Sequence, residues 1–384
     1  MENKKYKLLT VVGARPQFIK AAPLSKAIAE SENLMEVMVH TGQHYDYALS
    51  QQFFDELGLP TPQYNLEIGS ARHAVQMGQI LIKLDAVLDI EKPDMIIVFG
   101  DTNSTAAAAI AAAKNNIPLA HVEAGLREWN KMIPEEINKL LTDAVTDLYF
   151  CPTQTGVDNL KKQGITQNVF NTGDIGIDLI VNNLDKIENN KTIFESLEIT
   201  EKKYYFVTIH RVANTDDFDK MKNILTALKK LAEENSPVIF PIHPRTKAAI
   251  EKFGFQDLIK NPHLKIIDPV GFWDTQALIR NAKMVVTDSG GVVKEAYFHQ
   301  VHCIIPDTQI EWIEAVEEGW TYLTSANADK IIERVQHFPI PLLIPSGVQG
   351  NFLGNGSAAK QIVTAICGFF CESPPAPEGG VHGQ

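Results

Sequence analysis

The run "DMIIVFGDTNSTAAAAIAAAKNNIPLAHVEAG", Asp94–Gly125, decides the fold. Its "MIIVF" is apolar without alternation, the pattern of a strand buried on both faces. Gly100 and a polar cluster stop that run, and an alanine-rich stretch of helical length follows. "PLAHV" then starts a second short apolar run. A strand, a helix and another strand within about thirty residues make a βαβ unit, whose crossover returns the second strand parallel to the first.

Working outward, the same alternation fills the first half of the chain. "YKLLTVVG" precedes the helix-like "PQFIKAAPLSKAIAE", "EVMVHTG" precedes "YALSQQFFDELG", and "PLAHVEAG" precedes "IPEEINKLLTDAVT". Between about Gly173 and Lys203 the sequence turns polar and Asn/Lys-rich, as suits a connection between domains. Alternation resumes with "YYFVTIH", "SPVIFPIHP", "LKIIDPVG", "AKMVVTDSGG" and "VHCIIPD". The reading is an α/β protein of two doubly wound, Rossmann-like domains, residues 1–175 and 176–354, facing across a cleft. The tail 371–384, "CESPPAPEGGVHGQ", has a disordered composition.

Composition narrows the classes. A chain of 384 residues, 45% hydrophobic and 21% charged, can bury sizeable cores. Its net charge of -12 argues against binding nucleic acid, whose phosphates such a surface repels. Cys151, Cys303, Cys367 and Cys371 are too few and too irregular for a disulfide framework or a zinc cluster, and read as reduced thiols. No apolar stretch approaches the ~20 residues of a membrane helix, so no membrane partner and a cytoplasmic location are expected.

Four strand ends carry chemistry. In "VVGARPQFIKAAP", Gly13 permits a tight turn, Arg15 and Lys20 bring positive charge, and Pro16 opens a helix whose first N–H groups suit a phosphate. No GxGxxG or GxxxxGK[ST] fingerprint is present. Asp101 stands at the end of "MIIVFG", where it reads either as a helix cap or as a functional acid. "HVEAGLR" puts His121 and Glu123 on one side of a strand end, with Arg127 beyond the turn. Glu135 and Glu136 follow in a helix's first turn, where the dipole favours a carboxylate. Acidic groups brought together there push at least one pKa upward, which suits acid–base work. In the second domain His210 and Arg211, then His243 and Arg245, follow short strands. "DSGG" turns into a helix, so Ser289, Gly290 and Gly291 can offer donors to a phosphate, with Glu295 a turn further on as an acceptor for a ribose diol or a solvated residue. Jointly these describe a nucleotide diphosphate on the second domain and a reactive moiety facing acids of the first. His121, Glu123 and Asp101 are competent metal ligands, but without HExxH or CxxC spacing no metal is expected.

The ordered motifs "GARPQFIKAAP", "HTGQHYD", "GDTNST", "HVEAGLR", "PEEINKLLTD", "HRVANTDD", "HPRTK", "TDSGGVVKEA" and "GNGSAA" resemble those of the non-hydrolysing UDP-N-acetylglucosamine 2-epimerases, over roughly Lys7 to Ile366. "GARPQFIK" and "HPRTK" also resemble the branch acting on UDP-2,3-diacetamido-2,3-dideoxyglucuronate. The resemblance implies a GT-B-like fold, with a C-terminal helix at about 355–370 returning to the first domain. It implies a UDP-sugar substrate, no redox cofactor, a homodimer, and precursor synthesis for surface polysaccharide. The implied chemistry removes the C2 proton with loss of UDP to a glycal, then re-adds UDP with the proton delivered to the other face.

By motif, the resemblance makes Asp101, Glu123, Glu135 and His210 catalytic. It makes Arg15, His243, Phe272, Ser289, Gly290, Gly291 and Glu295 UDP-binding, and it puts Lys20, Arg127 and Arg211 in the active-site region. A regulatory UDP-sugar site near Gln43 or Arg211 is a further expectation. Two places depart from the family pattern: Ala213 stands where a Glu usually follows the His-Arg pair, and "IPDTQIEW", with Pro306, Asp307 and Gln309, replaces an R-x-x-T-E run. A hydrolysing relative, a GT-B glycosyltransferase and a UDP-sugar sensor without catalysis are the other readings.

Overall fold

A computed structural model describes residues 5–42, 54–233, 236–338 and 352–372. Gln43 and the tail beyond Glu372, both singled out in the sequence, lie outside these residues. The chain forms two compact units, one running to Val181 and rejoined from Gly354, the other spanning Asn182–Leu353.

In the first unit the strands are β1 (Tyr6–Val12), β2 (Leu34–His40), β3 (Tyr64–Asn65), β4 (Met95–Phe99), β5 (Leu119–Val122), β6 (Leu148–Cys151) and β7 (Val169–Asn171). They form one sheet in the order β3-β2-β1-β4-β5-β6-β7, and every pairing is parallel. All five residues of β4 are buried, as its unalternating sequence requires. Ala106–Ala109, Ala111 and Ala112 of the helix Asn103–Lys114 are buried too, because side chains this short let the helix lie close on the sheet. The chain order reverses between β1 and β4, and ligands of open parallel sheets bind at such a point, beyond the strands' C-terminal ends. Gly13 lies there. A Cβ on it would come within 2.3 Å of both Thr41 Oγ1 and Ser104 Oγ, which are hydrogen-bonded to each other at 2.8 Å. Space, more than turn geometry, makes that position a glycine.

The second unit repeats the architecture with β8 (Tyr205–Thr208), β9 (Val238–Pro241), β10 (Leu264–Ile267), β11 (Met284–Thr287), β12 (Cys303–Ile305) and β13 (Thr321–Leu323). Its six parallel strands run β10-β9-β8-β11-β12-β13, with the reversal between β8 and β11. The helix Phe218–Glu233 covers one face through Met221, Ile224, Leu225, Leu228 and Leu231, spaced three and four apart. Each such side chain fully buried contributes roughly 1.5–3 kcal/mol.

The last helix, Ala358–Glu372, belongs to the first unit and packs on the helices Arg15–Ala29 and Ile175–Val181. The carboxylate of Asp178 accepts from the N–H groups of Ala358 (3.1 Å) and Ala359 (2.7 Å), and Phe370 stacks on Tyr6 with ring centroids 4.1 Å apart. The helix takes in Cys371 and Glu372, the first residues of the stretch read as tail. Cys151 and Cys303 are buried free thiols, and burial pushes both well above the ordinary thiol pKa. No helix among the described residues is long and apolar enough to cross a membrane.

Candidate functional site

In the first unit the predicted acids stand where β4 and β5 end. Asp101 follows Gly100, whose φ of 61° turns the chain out of the sheet. The helix cap is the next residue: Thr102 accepts from the N–H of Thr105, which leaves the Asp101 carboxylate uncommitted to capping. Asp101 is partly exposed and lies 3.7 Å from the Nζ of Lys139, whose side chain is 4% exposed. Asn138 donates to the Asp101 carbonyl at 2.8 Å and so fixes its backbone.

Glu123 sits at φ 75°, left-handed backbone that costs a non-glycine residue on the order of 1–3 kcal/mol. Hydrogen bonds from the N–H groups of Glu123 (2.9 Å) and Ala124 (3.1 Å) to the Phe150 carbonyl hold the strained turn. A glycine would relieve the strain, so the carboxyl group is what the position keeps. It meets the ammonium of Lys20, and both side chains are only slightly exposed. Two carboxylates at neighbouring strand ends thus each lie beside a lysine.

Glu135 and Glu136 separate by role. Glu136 is fully buried and accepts from the N–H groups of Glu128 (2.9 Å) and Trp129 (3.1 Å), stapling the loop to the helix Pro134–Asp143. Glu135, one residue earlier, is exposed in the first turn.

Beneath them lies a buried network. Asp143 accepts from His121 Nδ1 (2.6 Å), an Nη of Arg127 (2.6 Å) and the N–H of Gly125 (3.2 Å). His121 Nε2 meets the Gly100 carbonyl at 2.8 Å. Both ring nitrogens of His121 are thus held, one by a carboxylate and one by a backbone carbonyl. Burial alone would raise the pKa of Asp143, but His121 and Arg127 outweigh it and hold the carboxyl below its ordinary range. Arg127 also donates to Gln163 and has no exposed side-chain surface. At the start of the helix Arg15–Ala29, Gln17 accepts from the N–H groups of Gly13 (2.7 Å) and Ala14 (3.0 Å) and donates to the Phe99 carbonyl (2.9 Å). It thereby ties the turn after β1 to the end of β4, with Arg15 partly exposed beside it.

In the second unit, Ser289 caps the helix Gly290–Phe298, which has no side chain at its first two positions. Nothing lies closer than 3.5 Å to a Cβ built on Gly290 or 3.8 Å to one built on Gly291, and neither residue has a positive φ. Packing and torsion therefore do not require these glycines, each of which costs a helix about 1 kcal/mol relative to alanine. They leave the first N–H groups bare for an anion. Around the same turn lie Arg211, Asp288, Gln309 and Ile310. Asp307, in the departing loop, puts its carboxylate 3.7 Å from an Nη of Arg211. Ala213 is exposed.

His210, after β8, is partly exposed; its Nδ1 is 3.6 Å from Asp288 and its ring centroid 5.5 Å from that of His243. Burial, with Arg211 and Arg245, lowers its pKa and favours the neutral ring, against the opposing pull of Asp288. His243 is exposed and caps its helix by accepting from the Arg245 N–H at 3.1 Å. Phe272 and Glu295 are buried, the latter in place of the solvated alternative. Lys139, Asp143, Gln17 and Asp288 were not singled out from the sequence.

Residues 26–367 match the sequence profile of UDP-N-acetylglucosamine 2-epimerase. The chain belongs to the UDP-N-acetylglucosamine 2-epimerase family. It is 46% identical over 363 residues, 94% of its length and 99% of the relative's, to a UDP-N-acetylglucosamine 2-epimerase homolog of Methanococcus maripaludis. It is 39% identical, over 93% of its length and 98% of the relative's, to the UDP-2,3-diacetamido-2,3-dideoxy-D-glucuronate 2-epimerase of Pseudomonas aeruginosa. Its fold is similar to that of the Methanocaldococcus jannaschii UDP-GlcNAc 2-epimerase, solved with UDP-GlcNAc and UDP, at TM-score 0.86 and 38% identity over 94% of this chain and 99% of that one. Two Rossmann-like units of GT-B-like type are thus the architecture of an epimerase family, and these relatives favour neither a hydrolase nor a glycosyltransferase.

Proposed function

We propose that the protein inverts C2 of a UDP-linked 2-acetamido sugar. A carboxylate among Asp101, Glu123 and Glu135 takes the C2 proton as the C1–oxygen bond breaks, its electron pair leaving with the UDP phosphate oxygen. A C1=C2 glycal remains. UDP oxygen then re-forms the bond to C1, and an acid returns a proton to C2 from the opposite face. Because the C2 proton is weakly acidic, the largest part of the barrier must be lowered by stabilising departing UDP. The bare start of the helix Gly290–Phe298 suits that task, with Ser289, Arg15 and His243 as further donors and Glu295 and Phe272 on the nucleoside. Neutral His210 serves as a proton carrier, and Lys20, Lys139, Arg127 and Arg211 keep the charges ordered.

What supports this reading most is Glu123, kept in a strained conformation beside Lys20 in a chain that belongs to an epimerase family. The test is to incubate the protein in D2O with UDP-GlcNAc and, separately, with its 2,3-diacetamido-glucuronate counterpart, following the anomeric NMR signals. Epimerisation places deuterium at C2 of recovered UDP-sugar of both configurations. Release of free sugar, or unchanged substrate with bound UDP, would replace this reading with hydrolysis or with sensing.

We further propose that the enzyme works in the cytoplasm, supplies a surface-polysaccharide precursor, and is a homodimer. For the dimer the support is apolar surface on the two helices that flank Asn103–Lys114 in the first unit: Ile82 is 75% exposed on the helix His73–Glu91, and Ile137 and Leu141 form a stripe on Pro134–Asp143. Leu141→Asp is expected to shift the sedimenting species from dimer to monomer. A wild-type protein that sediments as a monomer overturns the proposal.

A further inference from the structure

Asp288 occupies the reversal point of the second sheet, directly between β11 and the cap Ser289, and is 2% exposed. One carboxylate oxygen accepts from the N–H of His210 at 2.9 Å. The other accepts from the N–H of Arg211 at 3.0 Å and from Asn214 Nδ2 at 2.9 Å. The first oxygen also faces His210 Nδ1 at 3.6 Å, an ion-pair distance rather than a hydrogen bond. Next to it the N–H of Ser289 donates to Thr287 Oγ1 at 2.9 Å, so the strand, the acid and the cap are fixed as one piece. A single buried carboxylate therefore bolts the turn that starts the helix Gly290–Phe298 to the turn that carries His210.

We propose that Asp288 is a positioning residue that couples His210 to the anion-holding turn Ser289–Gly291, so that a diphosphate seated on that turn and the imidazole that serves the reaction are placed together. This inference rests on the proposed epimerase reading, in which UDP occupies that turn. The mechanical part follows from hydrogen-bond geometry: neither turn can shift without straining bonds to a buried side chain, whose loss of a partner is costly. An electrostatic part accompanies it. The groups acting on the His210 ring are Asp288, which favours the imidazolium, and Arg211 and Arg245, which together with burial disfavour it, while the ring of His243 lies alongside. Removing the charge of Asp288 leaves only influences that lower the imidazole pKa.

The test uses the full chain with UDP as the ligand. In the wild type, UDP is expected to move the amide signals of Gly290 and Gly291 and, through Asp288, those of the His210 ring. In Asp288→Asn the amide oxygen keeps the two donors, Arg211 N–H and Asn214 Nδ2, and its NH2 faces the single N–H of His210, donor against donor, so UDP should still move the glycine signals while the His210 ring no longer responds. The same variant should lose kcat on the order of 10–100-fold, the scale for removing an orienting partner, with KM little changed. The NMR titration of His210 and the acidic limb of kcat/KM should both move to lower pH by about half a unit or more. Asn214→Ala, which keeps the charge and removes one donor, should show a smaller kcat loss with no shift of that limb. If Gly290 and Gly291 do not respond to UDP at all, the epimerase reading of this turn fails. If they respond and His210 in the wild type does not, or if Asp288→Asn leaves kcat and the His210 titration unchanged, the coupling is refuted.

Discussion

Replacing Glu123 with Gln is expected to slow deuterium exchange at C2 of the UDP-sugar by about 10²–10⁴-fold, the range a positioned acid–base group supplies. Gln keeps the shape of Glu and the φ of 75° does not depend on charge, so the turn beside the Phe150 carbonyl should persist. What disappears is the ability to accept a proton and the partner of the Lys20 ammonium. UDP affinity, measured by calorimetry, should hardly change, because the diphosphate is assigned to the helix start at Ser289–Gly291. The expected pattern is therefore a fall in kcat with binding retained, the mark of an interaction used only in the transition state. Full exchange activity in Glu123→Gln would remove this residue from the chemistry and return the choice to Asp101 and Glu135.

The second large effect is on stability. Asp143→Asn leaves the guanidinium of Arg127 buried without its counter-charge and His121 without its carboxylate partner, and breaking such a buried pair from one side costs about 3–5 kcal/mol. For a unit of this size that corresponds to a fall in Tm of roughly 6–20 °C, readable by calorimetry. The pH dependence has a definite sign. The native pKa of Asp143 is depressed, so its contribution is fully present above the unfolded carboxyl value of about 3.9 and is lost as pH falls through the native value. The stability gap between wild type and variant should accordingly be wide at neutral pH and narrow progressively below about pH 4. A gap that stays constant on acidification would show that the charge of Asp143 is not what holds the network.

The elements legible in the sequence are those whose burial is uniform along the chain. β4 reads as an unbroken apolar run because parallel strands are covered on both faces, and the alanines after it announce a helix pressed on the sheet. The acids at the strand ends were legible as residue types in unusual places. Their partners were not. Lys20 and Glu123 are 103 positions apart, and Gln17 and Phe99 are 82 apart, so only the topology brings them together. Asp143 and Glu136 sit in the polar phase of a helix with the signature of solvent-facing residues, yet they are 1% and 0% exposed, because the loop after β5 folds over them. Asp288 was hidden by its neighbours: the glycines drew attention as an anion site, and the acid before them looked like part of the turn. The cap shows the same limit at short range: the sequence offers Asp101 for it, and where the helix starts makes Thr102 the cap instead.

The helix Ala358–Glu372 closes the first unit, although it is separated from the rest of that unit by the whole of the second. On the ribosome, the second unit can acquire all of its strands while the first still has one surface uncovered. The side chains under that helix, Tyr6 among them, and the Asp178 carboxylate that accepts from the N–H groups of Ala358 and Ala359, therefore stay open to solvent until the whole second unit has been made. Of the two units, the one begun first is in this sense the one completed last, and in the interval its uncovered surface is open to chaperones and proteases.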